Sequence, residues 1–272
     1  MKRILTALVA VPILIYVIGF TPPLFFTFLV ALATILALEE FFSLVEKSGA
    51  ETHRAVGHLF SLLLIGSFYQ DPHNQSSGLL LLVVAMLLFL FLGLKRGEQF
   101  RQTLFSSSTT LLGLIYIPTP LGLLVSVRSS AFLWGGGRWW IFFFLLVVWF
   151  GDTGAYYIGR RWGKHKLAPT ISPRKTIEGS LGGLLGNTLA AALSKKIFLP
   201  TAPFFHLLAL SWILGLVSQS GDLVESLMKR GAGVKDSSNL LPGHGGMLDR
   251  IDGILFGAPV LFCYTRFLLK DL

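Results

Sequence analysis

The chain has 272 residues, of which 53% are hydrophobic and only 14% are charged, and its formal net charge is +9. A soluble domain of this length needs far more charged surface, so the composition excludes an ordinary soluble enzyme and favours a polytopic, all-α integral membrane protein. The single cysteine, Cys263, excludes an intramolecular disulfide and a zinc site built from several cysteines.

Apolar stretches recur along the whole chain and predict nine helical spans. The first resembles a secretory signal, but its apolar run is long and no small-x-small cleavage site follows, so we expect it to remain as a span. We expect one integral membrane domain over residues 1–272, with N-terminal spans at about 1–130 and catalytic spans and loops at about 138–272. The predicted spans are residues 4–20, 24–45, 55–69, 77–94, 104–127, 138–159, 176–196, 203–228 and 250–269.

Basic residues are distributed unevenly between the two sides that nine spans define. The N-terminus and the even-numbered loops, with their flanks, carry 17 of the 23 Lys and Arg residues. The positive-inside rule therefore places the N-terminus and these loops in the cytoplasm. We attribute the net charge to this topology in a cell inner membrane, and we expect no nucleic-acid partner.

The sixth loop and its flanks, Gly151–Gly179, concentrate basic charge on the predicted cytoplasmic side. Membrane insertion alone explains a basic pair such as Arg160 and Arg161 as well as ligand binding does. Asp152 lies near the cytoplasmic end of the sixth span. A carboxylate at that depth is costly, so it either has a function or pairs with a neighbour such as Arg160.

The tetrapeptide Ser172-Pro173-Arg174-Lys175 has the pattern of a helix start. Serine is a favourable N-cap and proline suits the first helical position, so we expect Ser172 to open the seventh span. Free amide groups at a helix start attract phosphate, and Arg174 and Lys175 add two cations at the same place. The pattern predicts a phosphate-binding site, since a simple cap does not require the two cations.

The eighth loop and its flanks, Ser220–Gly253, contain two pairs of carboxylates. Asp222 and Glu225 are three residues apart and therefore share a helical face, and Asp249 and Asp252 repeat that spacing at the start of the last span. Together the two helix ends offer several oxygen ligands at one depth. Such a set suits Mg²⁺, which also binds substrate phosphates.

Cations and glycines lie between the two carboxylate pairs. The cations suit phosphate oxygens, and the glycines permit close backbone approach to a bulky ligand. An ordinary ion pair between Glu225 and Lys229, and a helix cap at Asp249, also fit parts of this pattern. The residues concerned are Lys229, Arg230, Lys235, Gly243, His244, Gly245 and Gly246.

The stretch Ser226–Asp252 closely resembles the signature of the CDP-diacylglycerol synthases, also called phosphatidate cytidylyltransferases. The matching elements are S-L-M-K-R, K-D-S-S, L-P-G-H-G-G-M and D-R-I-D, in the family's spacing. The upstream segment D-T-G-A-Y…S-P-R-K-T-I-E-G is similar to a second family block, in which a tryptophan often occupies the position of Ile177. In the N-terminal half the resemblance rests on hydropathy and span count only.

The resemblance implies a Mg²⁺-dependent reaction of CTP with phosphatidate, giving CDP-diacylglycerol and pyrophosphate. It implies metal-centre roles for Asp222, Asp249 and Asp252, and it fits K⁺ as a second cation and a homodimer. The resemblance also implies that phosphate or nucleotide is bound by Lys175, Lys229, Arg230, Lys235, His244 and Arg250. With the residues chosen from local patterns, the candidate catalytic set is Asp222, Asp249, Asp252 and Lys229, and the candidate substrate-binding set is Ser172, Arg174, Lys175, Arg230, Lys235, His244, Gly245, Gly246 and Arg250.

Two other functions are weaker interpretations of the same residues. A transporter of anionic solutes also uses membrane carboxylates, but it usually places them near the bilayer midplane, whereas these lie at one face. A CDP-alcohol phosphotransferase also uses clustered aspartates, but its D-G-x-x-A-R pattern is absent, because Ile-Leu-Phe-Gly follows Asp252-Gly253.

Overall fold

A computed structural model describes residues 2–97, 99–130, 136–238, 240 and 245–269, with the backbone alone described for residues 2–7, 9 and 96. These ranges contain helices, one small antiparallel sheet and a short π-helical turn. The helices are α1 (Lys2–Phe20), α2 (Pro23–Lys47), α3 (Arg54–Gln70), α4 (Ser76–Arg96), α5 (Phe100–Tyr116), α6 (Pro118–Ser129), α7 (Gly137–Trp162), α8 (Ile177–Ile197), α9 (Phe204–Gly231) and α10 (Leu248–Cys263). The strands are β1 (Lys166–Ala168) and β2 (Ser172–Thr176), and the π-helical turn is Tyr264–Leu268.

The helices confirm the expected all-α, polytopic membrane fold. In the described part of the chain, six helical segments are long and apolar enough to cross a bilayer. The other predicted spans correspond to α1, α3 and α8, so the count of nine stays a prediction. Of α1 only Ala10–Phe20 has its side chains described without a gap, whereas α3 is shorter than the six and α8 is less apolar. The six segments are Pro23–Lys47, Ser76–Lys95, Phe100–Ser129, Gly137–Trp162, Phe204–Gly231 and Leu248–Leu268.

Proline explains two of the helix boundaries. Pro23 is the first residue of α2, where its missing N–H is not needed. Pro118 likewise begins α6, so the predicted fifth span is divided into α5 and α6 at Ile117.

Two compact units divide the chain, and the first consists of Met1–Ser126 with Met228–Arg250. In this unit α2, α3, α4 and α5 contact one another. Buried aromatic and aliphatic side chains, including Phe41, Phe42 and Leu64, form its interior. The single-domain organisation predicted from the sequence stays a prediction.

The second unit consists of Val127–Leu227 with Ile251–Leu272, and in it α7 and α8 pack closely against each other. Glycines on both helices let the two backbones approach. A Cβ atom at Gly186 would overlap the carbonyl oxygen of Phe150. Small residues of this kind are typical of tightly packed membrane helices.

Substituting Gly186 by alanine should destabilise the protein, because the added methyl group would collide with rigid helix backbone at Phe150. We expect a loss of about 3 kcal/mol or more, since the overlap cannot be relieved by a rotamer change. The matched control is Gly66→Ala in α3, where a Cβ atom meets nothing within 4 Å. Thermal denaturation in detergent should show a lower Tm for Gly186→Ala and an unchanged or higher Tm for Gly66→Ala. Equal Tm values for the two variants would contradict the packing described.

The start of α8 differs from the prediction. Ser172 does not cap this helix and Pro173 does not begin it, because Ser172–Thr176 is the strand β2. This strand pairs with β1, with Ser172 opposite Ala168 and Thr176 opposite Lys166. The helix begins at Ile177, and the Thr176 hydroxyl is its N-cap, accepting from Gly179 N at 3.1 Å. The prediction was wrong because it considered the tetrapeptide alone, whereas the strand that pairs with it, residues 166–168, lies earlier in the chain. Proline does not prevent this pairing, since both strands of a two-stranded sheet are edge strands.

Candidate functional site

Three carboxylates come together in the second unit. Asp222 and Glu225 lie one turn apart on α9, and Asp252 lies on α10. One oxygen from each lies within 4.8 Å of the others, and Glu225 is fully buried. A Cβ atom at Gly221 would lie 2.5 Å from the carbonyl oxygen of Asp252, so glycine at this position allows α9 and α10 to approach.

This carboxylate cluster (Asp222, Glu225 and Asp252) fits a divalent metal ion. All three groups offer oxygen ligands, which hard cations such as Mg²⁺ and Ca²⁺ prefer, and neither histidine nor cysteine belongs to the cluster. Three negative charges at such short distances repel one another unless a cation lies between them. The donor set therefore fits the metal that the sequence predicts, with Glu225 added.

A basic cavity adjoins the carboxylate cluster within the same unit. Asp222 belongs to both, and its Oδ2 lies 2.5 Å from Nζ of Lys175, which also lines the cavity. The cavity has a volume of about 560 Å³, within the range of small-molecule sites. Its lining residues are Asp152, Ala155, Tyr156, Gly159, Arg160, Lys166, Leu167, Arg174, Lys175, Thr176, Gly179, Ser180, Gln219 and Asp222.

The small sheet supplies three of the four cations of this cavity. Lys166 lies on β1, and Arg174 and Lys175 lie on β2. Glu178, in the first turn of α8, fixes the position of the segment before β1, because its carboxylate accepts a hydrogen bond from the backbone N of Lys164 at 3.0 Å. The four cations outnumber the two lining aspartates, Asp152 and Asp222, and the resulting net positive charge suits a polyanionic ligand such as a nucleotide triphosphate.

Asp249, the third aspartate predicted at the metal, makes its contacts in the first unit. Its Oδ1 lies 2.5 Å from Lys229 Nζ, and its Oδ2 accepts from Ser237 N at 3.1 Å, Ser237 Oγ at 2.9 Å and Gly246 N at 2.7 Å. Both side chains of the ion pair are largely buried. The structure thus brings Asp222 and Asp252 together with Glu225, and Asp249 together with Lys229.

The remaining predicted ligand residues lie in several environments. Ser172 is partly buried in β2, whereas Arg230, Lys235 and Arg250 are exposed, and Arg230 donates to the carbonyl oxygen of Val234 at 3.2 Å. His244 lies outside the described residues.

Two predicted ligand glycines have packing and backbone reasons of their own. Gly245 has φ +78°, a conformation that favours glycine. A Cβ atom at Gly246 would overlap Ser237 Oγ and a carboxylate oxygen of Glu40. These contacts explain why glycine occupies both positions even without a ligand.

Sequence reasoning missed three parts of this arrangement. It noted the shared face of Asp222 and Glu225 but left Glu225 out of the predicted metal ligands, because an ion pair with Lys229 was an alternative. It counted Lys166 only as topological charge, since no local signal predicted β1. It assigned no role to Gln219, whose side-chain oxygen accepts from Ser180 Oγ at 2.5 Å at the cavity wall.

Comparison with known proteins gives one family and several similar bacterial proteins. The Cytidylyltransferase family profile matches residues 1–268. The chain is 47% identical over 116 residues to the phosphatidate cytidylyltransferase of Bacillus subtilis, covering 43% of each chain. It is 53% identical over 116 residues to that of Staphylococcus saprophyticus and 52% identical over 116 residues to that of Staphylococcus aureus, covering 42% of this chain and 44% of each relative. The aligned part therefore spans less than half the length of these relatives, while the profile spans nearly all of this chain, which belongs to the Cytidylyltransferase family.

Proposed function

We propose that this protein is a phosphatidate cytidylyltransferase, which converts CTP and phosphatidate into CDP-diacylglycerol and pyrophosphate. One observation carries the proposal: Asp222 belongs to the carboxylate cluster and also lines the basic cavity, where it pairs with Lys175. A metal-binding group and a polyanion-binding cavity thus meet at one side chain. The family membership and the names of the similar proteins support the same reaction.

The reaction is an in-line displacement at the α-phosphorus of CTP. A phosphate oxygen of phosphatidate forms the new P–O bond, the bond between the α-phosphorus and the bridging oxygen to the β-phosphorus breaks, and pyrophosphate leaves with the electron pair. The attacking oxygen is already anionic, so no strong general base is required. The main obstacle is the repulsion between two polyanions, which aligned cations overcome.

Residues of the cavity bind and orient the triphosphate in this proposal. Lys166, Arg174 and Lys175 neutralise phosphate oxygens, and Asp222, Glu225 and Asp252 hold Mg²⁺. The bound cation supplies charge neutralisation for the transferred and leaving phosphates. Asp249 and Lys229 keep their predicted catalytic roles, and K⁺ as a second cation and a homodimer are further parts of the proposal that rest on the resemblance.

The membrane location fits the two substrates. The acyl chains of phosphatidate stay in the bilayer while its headgroup reaches a polar site, and water-soluble CTP enters from the cytoplasm. We therefore propose that the N-terminus and the segments that carry the site face the cytoplasm, in agreement with the distribution of basic residues.

The nucleotide requirement tests this function. Purified protein in detergent micelles with phosphatidate and Mg²⁺ should release pyrophosphate with CTP and much less with ATP, GTP or UTP. Omitting either phosphatidate or Mg²⁺ should abolish the release. Pyrophosphate release that does not depend on phosphatidate, or anion flux in vesicles without any release, would contradict the proposal.

Lys175→Met should lower kcat/KM for CTP on the order of 100-fold, because a charge-assisted contact to phosphate contributes about 2 to 3 kcal/mol. The matched control is Lys196→Met, at the opposite end of α8, where the lysine is exposed. That control should stay within about twofold of wild type, since it changes net charge equally. Equal losses in both variants would show a general effect of surface charge and would contradict a specific role for Lys175.

A further inference from the structure

Glu40 is a buried carboxylate in the first unit, and the sequence leaves its role open between lining the polar site and reaching the membrane interface. It lies on α2, is only 5% exposed, and accepts four hydrogen bonds. Its Oε1 accepts from Ser238 Oγ at 2.6 Å and Met247 N at 2.9 Å, and its Oε2 accepts from Ser237 Oγ at 2.8 Å and Leu248 N at 2.8 Å. A buried carboxylate is costly unless such donors surround it.

All four donors come from the family signature that lies between the two carboxylate pairs. Ser237 and Ser238 belong to the K-D-S-S element, whereas Met247 and Leu248 immediately precede Asp249. Glu40 therefore connects the two described ends of the segment between α9 and α10. It is a contact between the N-terminal half, which has no recognisable motif, and the most specific motif of the chain.

Glu40 also completes the start of α10. The first amide groups of a helix have no partner within it, and a negative charge at that end is favourable. Glu40 accepts from Met247 N and Leu248 N, while Asp249 accepts from Gly246 N. Three consecutive amides are thus held by two carboxylates, so the position of Asp249 is coupled to Glu40.

Ser237 couples the same two carboxylates a second time. Its Oγ lies 2.8 Å from Glu40 Oε2 and 2.9 Å from Asp249 Oδ2, and its backbone N also donates to Asp249. Because one hydroxyl proton serves both carboxylates, each limits the orientation of the other. Gly246 closes this arrangement, since a side chain there would overlap Ser237 Oγ and Glu40.

We propose that Glu40 is a positioning residue for cytidylyl transfer. Its carboxylate holds the start of α10 and the Ser237–Ser238 segment so that Asp249 and Lys229 keep their geometry. Four lone-pair directions on two oxygens match four donors, which no neutral side chain can do. This inference rests on the proposed function for its kinetic consequence, whereas the four contacts themselves do not depend on it.

Glu40→Gln is the test, because it keeps the size of the side chain and removes one acceptor oxygen. The serine hydroxyls can turn to accept from the new NH₂ group, but Met247 N or Leu248 N loses its partner. We expect kcat per folded molecule to fall roughly 10- to 100-fold, because small misplacements of reacting groups lower reaction rates by such factors. Hydrogen exchange in peptides covering 245–249 should become faster, which reports the lost contact without any assay of activity.

Two variants separate this role from a general loss of structure. Glu39→Gln changes the adjacent glutamate, whose carboxylate contacts Arg54 and His58 instead; its kcat should stay within about twofold of wild type. Ser238→Ala removes one donor to Glu40 and the acceptor of the exposed Leu240 N, but it leaves Met247 N and Leu248 N bonded to Glu40. Its kcat should therefore fall by less than that of Glu40→Gln. If Glu40→Gln yields no folded protein, Glu40→Asp replaces it, and the shorter carboxylate should still lower kcat about tenfold.

The outcomes distinguish this inference from the proposed function. Wild-type protein that makes no CDP-lipid refutes the proposed function, and hydrogen exchange then still decides whether Glu40 holds residues 245–249. Active wild-type protein together with wild-type kcat in Glu40→Gln, or in Glu40→Asp where that variant replaces it, overturns the positioning role. Unchanged hydrogen exchange in Glu40→Gln also overturns it.

Discussion

Asp252→Asn should lower kcat by about 1000-fold while the protein still folds and inserts. The substitution replaces one of the three negatively charged carboxylates of the cluster by a neutral amide. Metal ions contribute several kcal/mol of transition-state stabilisation, and about 4 kcal/mol corresponds to this factor in rate. Asp222→Asn should have a similar effect, and Asp71→Asn, outside the cluster, should leave kcat within about twofold. The rate of CDP-diacylglycerol formation measures all three.

Thermal denaturation with and without Mg²⁺ gives a second readout that does not require activity. Mg²⁺ should raise the Tm of wild type, because a ligand that binds only the folded state stabilises it. Asp252→Asn should lose most of this increase, yet without Mg²⁺ it should be at least as stable as wild type, since one of three repelling charges is gone. Near-normal turnover in Asp252→Asn, or an undiminished response to Mg²⁺, would contradict the metal assignment.

Lys229→Met should be the most destabilising of the charge substitutions described. Lys229 and Asp249 are 12% and 6% exposed at their side chains, so removing the lysine leaves a buried carboxylate without its cation. Breaking a buried pair in this way costs about 3 to 5 kcal/mol, or roughly 10 °C in Tm for a chain of this size. Activity should be lost as well, because Lys229 is a predicted catalytic residue.

A double variant isolates the pair itself. Lys229→Met with Asp249→Asn removes both charges, and the amide oxygen of the introduced asparagine can still accept from Ser237 N and Gly246 N, so most of the lost Tm should return. Activity should not return. The exposed control Lys196→Met should keep the wild-type Tm. If the double variant were as unstable as the sum of the single variants, the ion pair would not be the source of the effect.

Apolar patterning predicts the helices well and the polar segments less well. Long apolar runs have few structural alternatives in a bilayer, because backbone groups there must be hydrogen-bonded within a helix. Residues 160–176 have no such constraint. Their Ser-Pro-Arg-Lys sequence fits a helix start locally, but pairing between Lys166 and Thr176 places these residues in a strand. The strand conformation of this segment depends on pairing with a residue ten positions away in the chain, and rules for helix caps consider only neighbouring residues.

The candidate site shows the same limit. Spacing on a single helix predicts that Asp222 and Glu225 share a face, and it predicts as well that Asp249 and Asp252 share one. It does not determine which member of each pair meets the other helix. Glu40 was still less predictable, since it is 197 residues away from Ser237 in the chain, and the Glu39-Glu40 pair in an apolar helix carries no signal for the partner of either residue.

The central claim is that the α-phosphoryl group of CTP, with its cytidine, is transferred to a phosphate of the lipid. The most direct measurement uses two samples of CTP, one labelled in the α-phosphate and one in the γ-phosphate, with phosphatidate and Mg²⁺. We predict that the α-label enters the organic phase as CDP-diacylglycerol, that the γ-label stays in the aqueous phase as pyrophosphate, and that the two products form in equal amounts. The γ-label in the lipid, or no label in the lipid at all, would contradict the account.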